Sequence, residues 1–456
     1  LSKTTKYDLT RGPIFKKLLK LSLPIMATSL FQSAYDMTNM FWLSRLGEEY
    51  LAAAGLANQF VWLSFSLIML CRIGAEIGVS QNMGKGDKDA AKAFAQNGFM
   101  LALVSGAFFS ILLITLRHPL LGLLNIENPY VAERAAHFLS VAAIAIPFTF
   151  GHFVITGIFS GFGNTRVPFI INSAALALNI GLAPVFIFVL DMGMVGAAVS
   201  LIVSNVFNMS AKLWAMTKYK DKPFEGFKPL GRIIRGKMSQ ISRWGAPVAL
   251  ENLLFNFSFM LMTFVIVSFG DYAVPGHQVG MRVESLSFMI GGGFASAITA
   301  FIGQNYGAKK WGRVRRTVRV AYIFMGIYGI FIAGVLFFGA EAFVSLFLNN
   351  DESIRIAANY LRILAPAQIL FCMEGVAAGS FRGRGLTMKP TIASVSSNII
   401  RVLLVFALAA TALGIDGVWV AIAIAMTVRS VWLLVWHFIN MKKLPKEDEI
   451  IEEVTA

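Results

Sequence analysis

The sequence predicts an all-α integral membrane protein: twelve transmembrane helices arranged as two parallel six-helix repeats around a central cavity. Three observations carry this. Apolar residues make up 56% of the 456-residue chain and charged residues only 14%, where a soluble domain carries roughly 25% charge. The apolar residues are gathered into twelve runs of about 20 or more, the length that crosses a bilayer as a helix. And the chain repeats itself. Gln81-Asn82-Met83-Gly84-Lys85-Gly86 returns as Gln304-Asn305-Tyr306-Gly307-Ala308-Lys309, 223 residues on (304 − 81). The same shift carries Pro24 onto Pro247 and Gly47 onto Gly270. A shift one shorter carries Gly161-Phe162-Gly163-Asn164-Thr165 and Pro168 onto Gly383-Arg384-Gly385-Leu386-Thr387 and Pro390. Landmarks at a near-constant offset mark a duplicated unit.

The runs fall at 21–46, 52–82, 93–116, 135–160, 168–190 and 194–217, then 241–269, 274–303, 319–340, 356–380, 390–412 and 416–440. None alternates polar with apolar residues as a barrel strand does, so they are helices, the other way to satisfy every backbone group in hydrocarbon. Basic residues collect before the first run (Lys3, Lys6, Arg11, Lys16, Lys17, Lys20) and after even-numbered runs, from Lys85 through the tail at Lys442; connections after odd-numbered runs carry Glu48, Asp191, Asp271 or Asp416 instead. The positive-inside rule then puts both termini in the cytoplasm of a cell whose inner (plasma) membrane holds the chain. The net charge of +15 is a topology signal, since it is divided among membrane-flanking loops; a nucleic-acid partner is not expected. Six helices per half is an even number, so the halves enter the membrane the same way round. The expected division is a cytoplasmic amphipathic segment at 1–20, lobes at 21–217 and 241–440, a linker at 218–240 and a tail at 441–456.

Taken in order, residues 7–23 read as a short amphipathic helix lying on the cytoplasmic face, with Lys16, Lys17 and Lys20 toward headgroups; an anchor without a part in transport is its simplest role. The first run contains Asp36, a carboxylate that is costly at membrane depth unless paired, hydrated or protonated. Tyr35, Gln32 and Asn39 surround it as one polar patch. Arg72 and Glu76 stand four apart on the second run, the spacing of a structural ion pair. His152, Asn172 and Asn179 follow; a lone buried histidine is more often a hydrogen-bonded filler than a proton carrier. The second half presents Glu251 and Asn252 after Pro247, then His277, Arg282 and Glu284, the last two expected near the outer, interfacial end. Glu374 lies deeper, at the repeat counterpart of His152, with no basic residue within one turn. Arg401 and Arg429 come last. Met37, Met40, Phe255, Phe257, Phe259 and Met262 flank the acidic positions and form a candidate wall for flat cations, against the plain alternative of lipid- and seam-facing side chains. Cys71 and Cys372 fall inside apolar runs, so neither a disulfide nor a redox pair is expected. No cleavable signal is expected either: the first apolar run contains Pro24 and lacks a small-residue cleavage site.

Together the two Gln-Asn-x-Gly copies, Leu51-Ala52-Ala53-Ala54-Gly55-Leu56, Gly280-Met281-Arg282-Val283-Glu284-Ser285-Leu286, and the Gly-x-Gly-x-Thr…Pro stretches before the fifth and eleventh runs resemble the multidrug and toxic compound extrusion (MATE) transporters. The Leu-Thr-x-Gly-Pro-Ile opening is similar to the bacterial branch, DinF-like or NorM-like. The resemblance covers nearly the whole chain. It implies export of amphipathic organic cations by alternating access, driven by inward H⁺ or Na⁺. It also implies cation coupling through Asp36, Glu251 and Glu374, and a substrate cavity drawing on Tyr35, Met37, Asn39, Asn179, Asn252, Phe255 and Met262. Where Na⁺-binding relatives pair an Asn of the fifth helix with an Asp four residues on, this chain has Asn179 and Ala183. The register of Asp36 also departs from the family's by nearly a turn. Proton coupling is therefore favoured in the first half, with Na⁺ near Glu251 and Glu374 as the alternative.

No cofactor beyond the coupling ion is expected; the partners are small cations and lipid, and a monomer suffices. A lipid-linked oligosaccharide flippase of the same superfamily is the competing reading, disfavoured by the acidic residues in runs 1, 7 and 10. No P-loop, nucleophile elbow or metal-protease motif is present, so neither an ATP-driven pump nor an enzyme is expected.

Overall fold

The computed structural model describes residues 7–124, 126, 128–219 and 222–445, without the side chains of 33–36 and 48. The described chain is helical. In order, the helices are α1 Ile14–Ser44, α2 Glu48–Lys85, α3 Lys88–Thr115, α4 Arg117–Gly122, α5 Pro129–Ile144, α6 Ile146–Phe162, α7 Arg166–Pro184 and α8 Gly193–Thr217; then α9 Arg235–Val267, α10 Ala273–Gly307, α11 Trp311–Phe338, α12 Ala340–Val344, α13 Asp351–Gly383, α14 Met388–Ala409 and α15 Ile415–Lys442. Among the described residues ten of these are long and apolar enough to cross a membrane, and α5 with α6, bent by 43°, makes an eleventh span. The 31-residue α1 corresponds to the first of the twelve predicted runs.

The duplication is visible in the elements. Short helices α4 and α12 follow α3 and α11 at starts 223 residues apart (340 − 117). Gly47 and Gly270, paired by the repeat, both take positive φ, +130° and +100°, a region open to glycine and strained for residues with a Cβ. Some helix starts are capped by a short polar side chain: Asp87 accepts from the Ala90 amide at 2.8 Å, and Asn350 from Glu352 and Ser353.

The described residues divide into two compact units: residues 7–8 with 27–249, and residues 9–26 with 250–445. The switch points are 223 apart (249 − 26), so the duplication governs them too, and each falls two residues after a helix proline, Pro24 or Pro247. The first unit's core runs through Ile77, Phe94, Phe99, Phe150, Val154 and Phe159. The second unit has two, one around Phe294, Phe301, Val376 and Phe381, the other around Ile266, Leu361 and Trp419.

These boundaries differ from those expected at both connections. The amphipathic segment is no separate interfacial helix. Leu9, Ile14, Leu18, Leu21 and Ile25 are buried in the second unit's core, where protein rather than headgroups covers the apolar face. Its backbone is tied down: Leu9 N–H donates to Gln304 Oε1 at 3.0 Å, and Arg313 donates to the carbonyls of Leu9, Arg11 and Gly12. The repeated Gln-Asn pair of the second half thus clasps Leu9. The stretch expected to be a free linker packs within the first unit. Phe224 and Phe227 are buried there, Gln96 donates to the Lys228 carbonyl at 3.0 Å, and Asn97 accepts from the Ile234 amide at 2.8 Å.

Candidate functional site

In the second unit the carboxylates are partnered by long-range contacts. Glu251, on α9, pairs with Arg382 at the end of α13 at 3.1 Å. Glu374, on α13, pairs with Arg429 of α15 at 3.0 Å and accepts from Ser430 Oγ at 2.7 Å. The sequence showed no base within a turn of Glu374; the base comes from a helix 55 residues later (429 − 374). A buried carboxylate with such a partner is compensated for its loss of water, which a lone one is not. A Na⁺ near either residue meets a guanidinium already in place, and among the described residues no three His, Cys, Asp or Glu side chains converge as metal ligands.

Glu284 corrects the sequence reading more sharply. It is 4% exposed, buried rather than interfacial. Gln368 Nε2 donates to it at 2.6 Å, Tyr360 donates its hydroxyl, and Ser287 donates to Gln368 Oε1 at 3.2 Å. His277 stacks on Trp419 with ring centres 5.1 Å apart and meets Tyr360 edge-on. Tyr360, Gln368 and Trp419 were invisible as site residues because neutral side chains in apolar runs carry no pattern of their own. Nearby in the same unit, Arg401 lies over the Phe255 ring at 5.1 Å, and its Nε and Nη2 are buried without a hydrogen-bond partner.

The remaining cavity candidates scatter. Phe255 is 37% exposed, but Met262 is 4% exposed and packs in the second unit's core, where it fills space between helices rather than facing a cavity. Phe259 stacks on His277 at 5.9 Å. Asn252 is half-buried.

In the first unit, Met37 is exposed and Asn39 holds a buried Oδ1 without a hydrogen-bond partner. Asn179 is fully buried, donates to Ser200 Oγ at 3.3 Å and leaves its own Oδ1 unpartnered. Glu76 is fully buried. The Arg72 stem lies against Gly157 of α6, close enough that a Cβ there would meet it. Tyr35 and Asp36 lie on α1, but their side chains are outside the described residues. One residue was missed altogether: Lys212 of α8 is fully buried, bonded to Asn172 Oδ1 at 2.7 Å and Thr156 Oγ1 at 2.8 Å. Its signal was present, as the lone basic residue inside the apolar run 194–217.

This duplicated helical membrane architecture has known counterparts. The MatE family model matches residues 24–185 and again 247–407, one match per repeat. The chain belongs to that family. It is 26% identical over 384 residues to the "Probable multidrug resistance protein NorM" of Thermotoga maritima, covering 83% of this chain and 82% of that protein. It is 22% identical to the multidrug export protein MepA of Staphylococcus aureus strain NCTC 8325, over 84% and 85% of the two chains. Among solved structures, MATE in the bent conformation superposes with a TM-score of 0.91 at 23% identity, over 97% of this chain and 99% of the other. A MOP superfamily transporter from Pyrococcus furiosus, described as having a binding pocket of reverse polarity, also gives 0.91 at 23%, over 98% and 100%. At these identities the structural likeness establishes the fold alone.

Proposed function

We propose that the chain exports amphipathic organic cations from the cell in exchange for inward protons, from the plasma membrane with both termini cytoplasmic. Family membership and relatives named for multidrug resistance and export support the substrate class. The observation that carries the choice of proton is the pairing of the second unit's carboxylates: Glu251 with Arg382 and Glu374 with Arg429. A Na⁺ ion has to displace a guanidinium from either. A proton has only to neutralise the carboxylate, and doing so frees the arginine and loosens α13 from α15. Asp36 is the carboxylate assigned to the exchange itself. Protonating it removes its attraction for a cationic substrate, so the two ligands compete for one charge.

The test is export of a fluorescent cationic dye from proteoliposomes under an imposed pH gradient without Na⁺. Asp36→Asn is expected to abolish export while the protein elutes as the parent does on size exclusion. Undiminished export by that variant removes Asp36 from the mechanism, and export only under a Na⁺ gradient moves the coupling to Glu251 and Glu374.

One observation favours a second reading. Arg401 keeps its buried Nε and Nη2 without a hydrogen-bond partner, and Glu284, whose charge acts on it, spends its oxygens on Tyr360 and Gln368 instead. Those unbonded guanidinium donors suit an anionic amphiphile. Replacing the cationic dye by an anionic one of similar size in the same proteoliposomes decides between the two.

A further inference from the structure

We propose that Lys212 is a proton-exchange site of the first unit, with the His152 imidazole as its partner in the exchange. This extends the proton-coupled reading to a residue of another chemical type.

Lys212 is 0% exposed. Its Nζ donates to Asn172 Oδ1 at 2.7 Å, to Thr156 Oγ1 at 2.8 Å and to the His152 carbonyl at 3.3 Å, and lies 3.5 Å from His152 Nδ1. Three N–H donors meet three oxygens, so the ammonium form is fully bonded. None of those partners is a carboxylate. A buried positive charge held only by neutral dipoles keeps its desolvation penalty, which a paired one largely offsets. The neutral amine is also accommodated. The Thr156 hydroxyl, now donating to the His152 carbonyl at 2.9 Å, needs only to rotate to donate to the lysine lone pair. Both protonation states therefore have bonding partners, and neither is locked. In the exchange one N–H turns from its oxygen toward His152 Nδ1, that Nζ–H bond breaks with its electron pair staying on Nζ, and the proton forms a new bond to Nδ1.

The repeat supplies an independent observation. A shift of 222 places Glu374 at the position of His152. In the second unit that residue reaches the last long helix of its repeat, α15, through Arg429 and Ser430. In the first unit His152 reaches the corresponding helix, α8, through Lys212. The same pair of helices is joined twice, once by carboxylate and guanidinium and once by imidazole and amine. The second junction is charge-balanced; the first carries a charge that leaves only when a proton passes from Lys212 through His152 and out of the junction.

The other charged groups are accounted for element by element. Helix α2 brings Arg72, whose stem lies against Gly157 and whose charge acts on both Lys212 and His152, and one turn on the fully buried Glu76. Helix α3, which also packs on α6, carries Lys88, Asp89 and Lys92 in its first turns. Helix α7 carries only the exposed Arg166, six residues before Asn172, and the π-helical turn at Val185–Val189 carries none. Helix α5 holds Glu133, Arg134 and His137, the nearest 15 residues before His152, or about 22 Å along the bent span. On α8 itself the next base is Lys218, beyond the helix end.

The full-length protein, reconstituted in lipid nanodiscs with lysine carrying ¹³C at Cε, is titrated by NMR without any substrate, so the outcome does not depend on the export reading. Ordinary lysines stay ammonium to about pH 10. The expected result is one Cε resonance that titrates apart from those of the ordinary lysines and is absent in Lys212→Arg, or in Lys212→Gln should the arginine variant not fold. His152→Glu supplies the missing carboxylate and is expected to move that titration back among the ordinary lysines. A Lys212 resonance at the ammonium position throughout, or a titration that His152→Glu leaves where it was, overturns the proposal.

Discussion

Met262 and Phe255 sit seven residues apart on α9 and were expected to share a wall, yet one is sealed in the core and the other has its ring beneath Arg401. Their substitutions should separate accordingly. Met262→Ala leaves a void among Ile266, Leu361 and Trp419, and loss of a buried methionine side chain costs about 2–5 kcal/mol. It should lower the melting temperature without altering which dyes are exported. Phe255→Ala removes no buried contact of that kind and should change dye preference with little loss of stability. A thermal melt and a dye panel on the two variants distinguish the cases; a changed panel for Met262→Ala returns it to the cavity. Glu374 shows the same limit of one-dimensional reading. Its depth and acidity were legible, but its arginine was not, because ion pairing across helices depends on which faces meet.

At the scale of elements, close helix crossings depend on glycine. In the first unit, a Cβ on Gly245 of α9 would run into the Leu70 carbonyl of α2, and one on Gly74 of α2 would run into Ile241. Backbone cannot yield as a side-chain tip can, and small residues at such crossings let helices approach in lipid. Gly245→Ala is therefore expected to reduce the yield of folded protein and its melting temperature, whereas Gly55→Ala, with open space around it, should behave as the parent. Equal melting temperatures for the two would mean that the α2–α9 crossing relaxes freely. Helix existence and order were legible throughout, since runs of about 20 apolar residues admit few other fates in a bilayer. The bend between α5 and α6 and the π-helical turn after Pro184 were not. A proline permits a kink, and the neighbours decide whether it forms.

At the scale of the whole molecule, residues 9–12 are fastened within the second unit by Gln304, Asn305, Lys310 and Arg313. Arg313→Ala strips donors from three carbonyls and should speed limited tryptic cleavage at Arg11, while Arg316→Ala, whose side chain is exposed, should leave the rate unchanged. Equal rates in all three proteins would show that the clasp holds without Arg313.

The sequence by itself determined the membrane class, the order of the long helices, the duplication and the family, because all of these follow from composition, run length and spacing along one chain. It also named most of the buried charged residues, since a charge inside an apolar run stands out wherever it falls. Tertiary structure decided what each of them does. It gave Glu251 and Glu374 their arginines, enclosed Glu284 with Tyr360 and Gln368, and left Lys212 among neutral partners. It also placed residues 9–26 with the second unit. The physical reason is common to all four: the energy of a buried polar group is set by the partners within about 3–4 Å of it, and those partners are brought together by helix packing from distant parts of the chain.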